Sequence, residues 1–246
     1  MTILDRSCLA LNGSTSPRDE ILSESGALLL VDKTYGDTSF SAVNRIRKQI
    51  SIATGIRKIK CGHAGTLDPL ASGLLILATR GKTKSLADLI GLDKIYSIGI
   101  RFGVTSASFD LERPIEITGG DENLTEEAVR TAIEALVGEH DQVPPMHSAI
   151  KQRGRPVYHR ARAGEQFELQ PRRIFVHNSS VVTVDLPLAS FRTHVSKGTY
   201  IRSLARDLGV TLGTGAVVTD LRREAISGWK VEDAMTVDEI ESLIRN

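Results

Sequence analysis

The segment Cys61-Gly62-His63-Ala64-Gly65-Thr66-Leu67-Asp68-Pro69-Leu70-Ala71-Ser72-Gly73-Leu74-Leu75 holds the residue types best suited to chemistry in this chain, with Asp68 at its centre. The nearest other acids in the sequence are Asp37 and Asp88. Between them lie Arg45, Arg47, Lys48, Arg57, Lys58, Lys60, Arg80, Lys82 and Lys84. Nearby positive charge favours the ionised form of a carboxyl group. Pro69 fixes its own φ and steers Asp68 away from helical angles, and Gly62 and Gly65 admit backbone angles closed to other residues. Asp68 is therefore expected on a stiff, irregular loop ahead of the apolar run Leu74-Leu75-Ile76-Leu77. Loops held by a scaffold are where reacting groups concentrate. An ionised carboxylate so placed can attack an electrophilic carbon or stabilise a developing cation. The same residues also suit a structural Asp-Pro turn.

Other motifs fail. Gly81-Lys82-Thr83 ends like a phosphate-binding loop, but Ile76 stands where that motif needs a glycine. Gly213-Thr214-Gly215 lacks the third glycine of a dinucleotide fingerprint. The histidines at 63, 140, 147, 159, 177 and 194 show no zinc-like spacing, so no metal site is expected. A serine elbow is also missing from the sequence.

The scaffold must come from the rest of the chain, and 246 residues can bury one. Charged and apolar fractions of 25% and 41% exclude the disordered and fibrous classes. Cys8 and Cys61 give neither a disulfide framework nor a metal-ligand spacing, which suits a reducing cytosol. The start, Met1-Thr2-Ile3-Leu4-Asp5-Arg6, lacks the features of a signal peptide, and no apolar run approaches membrane-spanning length, so a cytoplasmic location is expected. The net charge of +1 hides a second basic region. Over 151–173, Lys151, Arg153, Arg155, Arg160, Arg162, Arg172 and Arg173 face only Glu165 and Glu168. Two basic regions in a near-neutral chain suggest a polyanion-binding face, with solvated charged surface as the plainer alternative.

Periodicity predicts the elements. Residues 1–25, polar and punctuated by Ser and Gly, are expected to be poorly ordered. Ala27-Leu28-Leu29-Leu30-Val31 reads as a buried strand. Thr38 or Ser39 can cap a helix whose apolar face is Val43, Ile46, Ile50 and Ile52. A strand over 74–78, a helix from about Thr83 and an alternating strand over 94–103 follow. Further helices are expected from Leu124 through Leu136, closed by Gly138, over 200–209 and over 236–244. The stretch 151–156 reads as a loop and 157–163 as a short basic helix. Strands are expected over 174–176, 181–184, 191–195 and 216–223. This mixture favours an α+β fold with a mainly antiparallel sheet.

Several separated segments resemble one family. Gly62-His63-Ala64-Gly65-Thr66-Leu67-Asp68-Pro69-Leu70-Ala71-Ser72-Gly73 resembles the signature of the TruB family of tRNA pseudouridine synthases. So do Pro144-Pro145-Met146-His147-Ser148-Ala149-Ile150-Lys151 with Tyr158 and Ala161-Arg162-Ala163-Gly164, then Ser196-Lys197-Gly198-Thr199-Tyr200-Ile201-Arg202-Ser203-Leu204, and Leu221-Arg222-Arg223. All stand in the family's order across residues 27–240.

The resemblance implies a pseudouridine synthase fold and one reaction, conversion of the T-loop uridine of tRNA (position 55 in tRNA numbering) to pseudouridine. It implies Asp68 as the catalytic carboxylate, by direct attack on the ribose or by assisting a glycal route. Arg202 would pair with that aspartate, Tyr96 would stack on the uracil and take a proton, and Tyr200 and Leu221 would line the base pocket. His63 would fill the place of the flipped nucleotide; a neutral structural histidine is the alternative. Each remaining residue also has a plainer reading, as surface arginine or core aromatic. Lys151 to Arg173 would form a thumb-like insertion, about 148–173, on the tRNA arm. Lys82, Lys84, Lys151, Arg153, Arg155, Arg160 and Arg162 would contact phosphates, and Arg45, Lys48, Arg57 and Lys60 would extend that track. No cofactor, metal, membrane or protein partner is implied, and a monomer is expected.

The pattern is broken in places. Lys33-Thr34-Tyr35-Gly36-Asp37-Thr38-Ser39 lacks the family's proline after the lysine and its apolar residue before Thr-Ser. Ser106-Ala107-Ser108 replaces Thr-Asp-Thr, so Arg202 or His63 is expected to be one partner short. His147 stands at a usual tyrosine, and the residues after Arg223 are too few for the family's PUA domain, which implies a short form with one catalytic domain over 26–246. A catalytically silenced tRNA-binding or folding helper, and an unrelated nucleoside hydrolase, are the alternatives to the enzyme.

Overall fold

The computed structural model describes residues 3–7, 16–146 and 169–246, together with the backbone of 151–152 and 155–156. The fold is α+β, with mixed but mainly antiparallel sheet. The contact pattern divides the chain into two compact units, Met1–Tyr96 with Arg222–Asn246, and Ser97–Leu221.

In the first unit the strands Ile3–Leu4, Leu28–Lys33, Ala71–Thr79 and the C-terminal part of Ala216–Ile226 are neighbours in that order. Leu28–Lys33 pairs antiparallel with Ala71–Thr79, Leu30 opposite Ile76. Its other edge is shared by two short parallel strands, Ile3–Leu4 and Met235–Thr236. Both central strands are nearly continuous apolar runs because both faces of this sheet are covered. Leu29, Val31, Leu75 and Leu77 pack with Ala42, Val43, Ile46 and Ile50 of the helix Ser39–Thr54 and with Ile240 and Ile244 of the helix Val237–Arg245. The alternate residues Leu28, Leu30, Leu74 and Ile76 pack with Ala64, Leu89, Ile226 and Val231 on the opposite face. Strand side chains alternate in direction, so a run apolar at every position needs both faces buried.

Several expectations are corrected. Residues 3–7 and 16–25 of the segment expected to be poorly ordered are not loose. Ile3–Leu4 is a strand, Pro17–Leu22 is a helix, and Ile21 is fully buried against the first unit's core. Ile52 is exposed rather than part of the helix's apolar face, because it sits off the three-to-four-residue repeat that carries Val43, Ile46 and Ile50. Thr38 alone caps that helix, its hydroxyl accepting from Ser41 N. Gly62 does not have positive φ; a Cβ there would meet only the terminal Cδ1 of Leu86, at 2.8 Å, which a leucine side chain can relieve by turning.

In the second unit the residues 97–102, then Leu188–Val195, Arg172–Asp185 and Gly138–Gln142, follow one another in the sheet. The two strands expected over 174–176 and 181–184 are one long strand, Arg172–Asp185. It is bulged between Val176 and Asn178 and again between Val181 and Thr183. The bulges break the period-two apolar pattern, and that break reads in sequence as a gap. Gly138–Gln142, which was not anticipated, pairs with its start, Ile174 opposite His140. The expected helix through Leu136 is shorter, Glu126–Glu134, with Thr125 as its cap. The helix Ile201–Thr211 buries Ile201, Leu204, Ala205 and Leu208. No helix among the described residues is long and apolar enough to cross a membrane.

Gly73 shows how closely the first unit's strands are set. Its φ is +102°, and a Cβ would lie 2.3 Å from the Arg223 carbonyl oxygen and 2.8 Å from its nitrogen. Neither backbone can yield without breaking the ladder. Gly73→Ala is expected to destabilise the protein by about 2 kcal/mol or more in urea unfolding. A loss below about half a kcal/mol would contradict this account.

Candidate active site

The Asp68 loop is clamped by the segment that precedes the helix Ser39–Thr54. Ser39 is buried, and its hydroxyl accepts from Leu67 N at 2.8 Å and donates to Leu67 O at 3.0 Å. Gly36, at φ +89°, donates its N–H to Pro69 O at 2.9 Å. Both neighbours of Asp68 are thus bonded to one segment. Ala71 N closes the turn on Asp68 O at 3.0 Å. Asp68 itself is half-buried. The expected stiff, irregular loop is present, and its stiffness comes from the 33–39 segment as well as from Pro69.

Lys33 underlies this clamp. Its side chain is fully buried, and Nζ donates to Asp37 O at 2.7 Å, Thr34 O at 2.9 Å and, at 3.5 Å, Pro69 O. Burial pushes the ammonium down from its ordinary 10.5 to about 8. The carboxylates of Asp37 and Asp68 oppose that fall, and Arg223 adds to it. Asp68 is therefore not the sole acid here: Asp37 and Asp32 also act on Lys33. Both lie just outside the cation-rich stretch of sequence; Asp32 returns to it through its pairing opposite Leu74, and Asp37 through the turn that Lys33 Nζ closes. The cations are dispersed likewise. Arg45 is held by Glu241 and Asp238 of the last helix, which removes it from the expected phosphate track.

Arg223 supports the loop from the neighbouring strand. It is buried, with Nε on Leu74 O at 2.7 Å and Nη2 on Gly65 O at 3.1 Å. Next to it Arg222 grips Asp32 through both nitrogens, at 3.1 and 2.8 Å. His63 ends the short strand Cys61–His63, opposite Leu77. Its Nδ1 is buried and has no hydrogen-bond partner among the described residues. Burial first, and Arg223 second, hold His63 below the usual histidine range, against a weaker contribution from the Gly65 backbone. Cys61 in the same strand is no nucleophile, since burial pushes its thiol up to about 12. Tyr96 is buried on the strand Lys94–Phe102. Lys82 is half-buried and Lys84 exposed in the 3-10 turn Arg80–Ser85, and neither forms an ion pair among the described residues.

The second unit carries Tyr200, Arg202 and Leu221. Tyr200 caps the helix Ile201–Thr211, and the buried Gln142 side chain clasps its backbone, accepting from N at 2.8 Å and donating to O at 3.1 Å. Leu221 is buried on the strand Ala216–Ile226. Arg202, only 4% exposed, donates Nη1 to Ser108 O at 3.1 Å, and its Nε lies 3.7 Å from the Asp110 carboxylate. The partner expected to be missing at Ala107 is therefore supplied by Asp110, which the sequence reading passed over. Asp110 is itself buried, and its other oxygen accepts from Glu112 N at 3.0 Å.

Arg153, Arg160, Arg162 and His147 lie outside the described residues, as does the helix expected over 157–163. For Lys151 and Arg155 only backbone is described, an antiparallel ladder of Lys151–Gln152 with Arg155–Pro156 in place of the expected loop. Arg173, counted in the basic region, faces Asp141 and Glu139 across the sheet at 3.4 and 3.5 Å. His177 and His194, distant in sequence, have ring centroids 4.5 Å apart on adjacent strands.

Two outcomes follow from these contacts. Between about 8 and 10.5 the unfolded chain holds the Lys33 proton and the folded chain does not, so this group adds stability as pH rises through that window. Wild type should gain stability relative to Lys33→Met between pH 8 and pH 10 in urea titrations, and a constant difference would refute the assignment. Asp110→Asn can keep the Glu112 bond but strips the charge facing a buried guanidinium. A loss of about 3 kcal/mol is expected in the same assay, and a loss under about 1 kcal/mol would mean that Arg202 does not depend on Asp110.

Comparison with known proteins matches residues 52–201 to the model of the TruB family pseudouridylate synthase N-terminal domain. The tRNA pseudouridine synthase B of Phocaeicola vulgatus is 40% identical over 213 residues, 87% of this chain and 91% of that protein. That of Chlorobium luteolum is 45% identical over 222 residues, 90% of this chain and 76% of the other. Among solved structures, a chain in a Cbf5-Nop10-Gar1 complex aligns with a TM-score of 0.67 and 26% identity. The alignment covers 92% of this chain, which spans 56% of the solved one. With the signature around Asp68 intact and the likeness running through nine-tenths of its length, the chain belongs to the TruB family of pseudouridylate synthases.

Proposed function

We propose that this protein isomerises the T-loop uridine of tRNA to pseudouridine. The observation that carries this reading is the Asp68 loop, a family signature whose aspartate is bracketed by backbone clamps at Leu67 and Pro69. Its relatives are named for tRNA pseudouridine synthesis.

The reaction rearranges one nucleotide. The N1–C1′ bond breaks, the base turns, a C5–C1′ bond forms, C5 loses its proton and N1 gains one. Nothing is consumed, so the residues of the chain suffice. A stacked base hides its glycosidic bond, so the uridine must be flipped out first. Asp68 acts at the ribose, by attack on C1′ or by assisting a glycal route. Tyr96 packs on the uracil and receives the C5 proton, and Tyr200 and Leu221 close the pocket. Arg202, its Nε 3.7 Å from the Asp110 carboxylate, provides positive charge for the carboxylate chemistry. His63, kept neutral, takes the space the uridine leaves. Lys82, Lys84, Lys151, Arg153, Arg155, Arg160 and Arg162 take phosphates, and the insertion over 148–173 serves as thumb. Residues 26–246 act as the catalytic domain, in the cytoplasm, where tRNA is found.

The test is tritium release from uracil-C5-labelled tRNA transcript. Wild type should release it, and Asp68→Asn should lose about a thousandfold or more while still binding tRNA. Binding without release by wild type would make the protein a folding helper, and free uracil would make it a hydrolase. Affinity for tRNA should also fall about a hundredfold or more between roughly 50 and 200 mM salt. A flat response would remove the phosphate contacts from the account.

A further inference from the structure

Two aromatic rings stand exposed on the clamp itself. Tyr35 is 58% and Phe40 63% exposed; among the other described aromatics Phe175 is 40% exposed, and Phe109, Tyr200 and Trp229 are half-buried. The placement of the two is specific. Tyr35 precedes Gly36, whose N–H binds Pro69 O, and Phe40 follows Ser39, whose hydroxyl binds Leu67 at both N and O. Each ring is one residue from a staple, and the two staples fall on either side of Asp68. Consecutive Cα atoms are about 3.8 Å apart, so both rings are anchored within a few residues' reach of the carboxylate. Their backbones are stiff. Gly36 sits in a turn closed by Lys33 Nζ on Thr34 O and Asp37 O, and Phe40 lies in the capped first turn of the helix Ser39–Thr54.

The surface continuing from Phe40 points to the kind of occupant. Residues three, four, seven and eight apart share a helix face. Three along, Val43 is buried with Ala42, Ile46 and Ile50; four, seven, eight and eleven along, the solvent-facing side of the stripe carries Asn44, Arg47, Lys48 and Ser51, polar or cationic, with Lys48 exposed and the others half-buried. A flat apolar ring at the head of a cationic stripe fits a ligand with planar bases on an anionic backbone. Aromatic rings beside a positive track are how single-stranded nucleic acid is held without regard to sequence.

We infer that Tyr35 and Phe40 are a stacking platform for unpaired nucleotides of the RNA, flanking the one that enters the Asp68 site. The inference rests on the proposed reaction for its substrate class, and it adds a binding surface that the reaction does not require. The two rings hold the neighbours of the flipped nucleotide, offsetting the stacking those bases lose when the uridine leaves the loop.

The test uses the full chain and a T-arm stem-loop RNA carrying single 2-aminopurine substitutions in its loop. Binding is read by fluorescence anisotropy and stacking by 2-aminopurine quenching, at one fixed salt concentration. Phe40→Leu and Tyr35→Leu keep apolar bulk and remove the ring. Each should weaken binding about tenfold and abolish quenching at one loop position, with the unfolding midpoint unchanged. Phe40→Trp should restore both. Leucine variants that bind and quench as wild type does would overturn the inference, as would failure of wild type to bind the stem-loop at low salt. Self-association in sedimentation that Phe40→Leu abolishes would give the rings to a second copy and overturn it too. Tritium release by wild type is scored separately, so an inactive protein that still stacks RNA on these rings would sink the proposed reaction and leave the platform standing.

Discussion

The Ser39 hydroxyl, bonded to both the N–H and the carbonyl of Leu67, is the constraint on which the Asp68 loop depends. A loop that passes through Asp-Pro cannot satisfy its backbone by helix or ladder, yet buried amides left unpaired cost about 1–3 kcal/mol each. One side-chain oxygen meets both polar groups of the residue before Asp68. Gly36 meets the carbonyl of the residue after it. Because Ser39 opens the helix that fills one face of the first unit's sheet, the loop inherits the rigidity of that core. Sequence, cap, packing and site therefore form one chain of causes, in which the residue just inside the helix start is bound to the residue just before the carboxylate.

Lys33 shows what such a clamp costs. An ammonium held among carbonyls and away from water is disfavoured as a charge, which is why it falls to about 8. Its three acceptors are backbone oxygens of the two segments that must stay together, 34–37 and 69. The missing proline after Lys33 and the aspartate in place of an apolar residue are accommodated in this geometry. Thr34 donates to the Asp37 side chain at 3.0 Å, closing the turn by a side-chain bond where the family pattern has a proline to stiffen it.

Legibility in the sequence followed range. The Asp68 loop, the buried strands and the capped helix were readable because each rests on neighbours a few residues apart. What was misread depends on distant partners or broken periods. Arg45 looked like a free cation because its carboxylates, Asp238 and Glu241, come from the far end of the chain. Gly62 reads as a turn residue in sequence, but its φ is not positive and its nearest neighbour across space is Leu86. Asp110 is not legible as a partner of Arg202 because the family's aspartate stands at the position of Ala107. A carboxylate three residues on reaches the same guanidinium through the turn after Val104–Ser106.

The role left to His63 follows from Arg223. That guanidinium is buried, and its hydrogen bonds go to carbonyls of Leu74 and Gly65, which accept protons without cancelling the charge. Its uncancelled field bears on two neighbours, lowering both Lys33 and His63. For Lys33 three carboxylates push back; for His63 only the Gly65 backbone does. Burial and Arg223 thus both disfavour the imidazolium form of His63. A ring disfavoured as a cation is compatible with the space-filling role proposed for it.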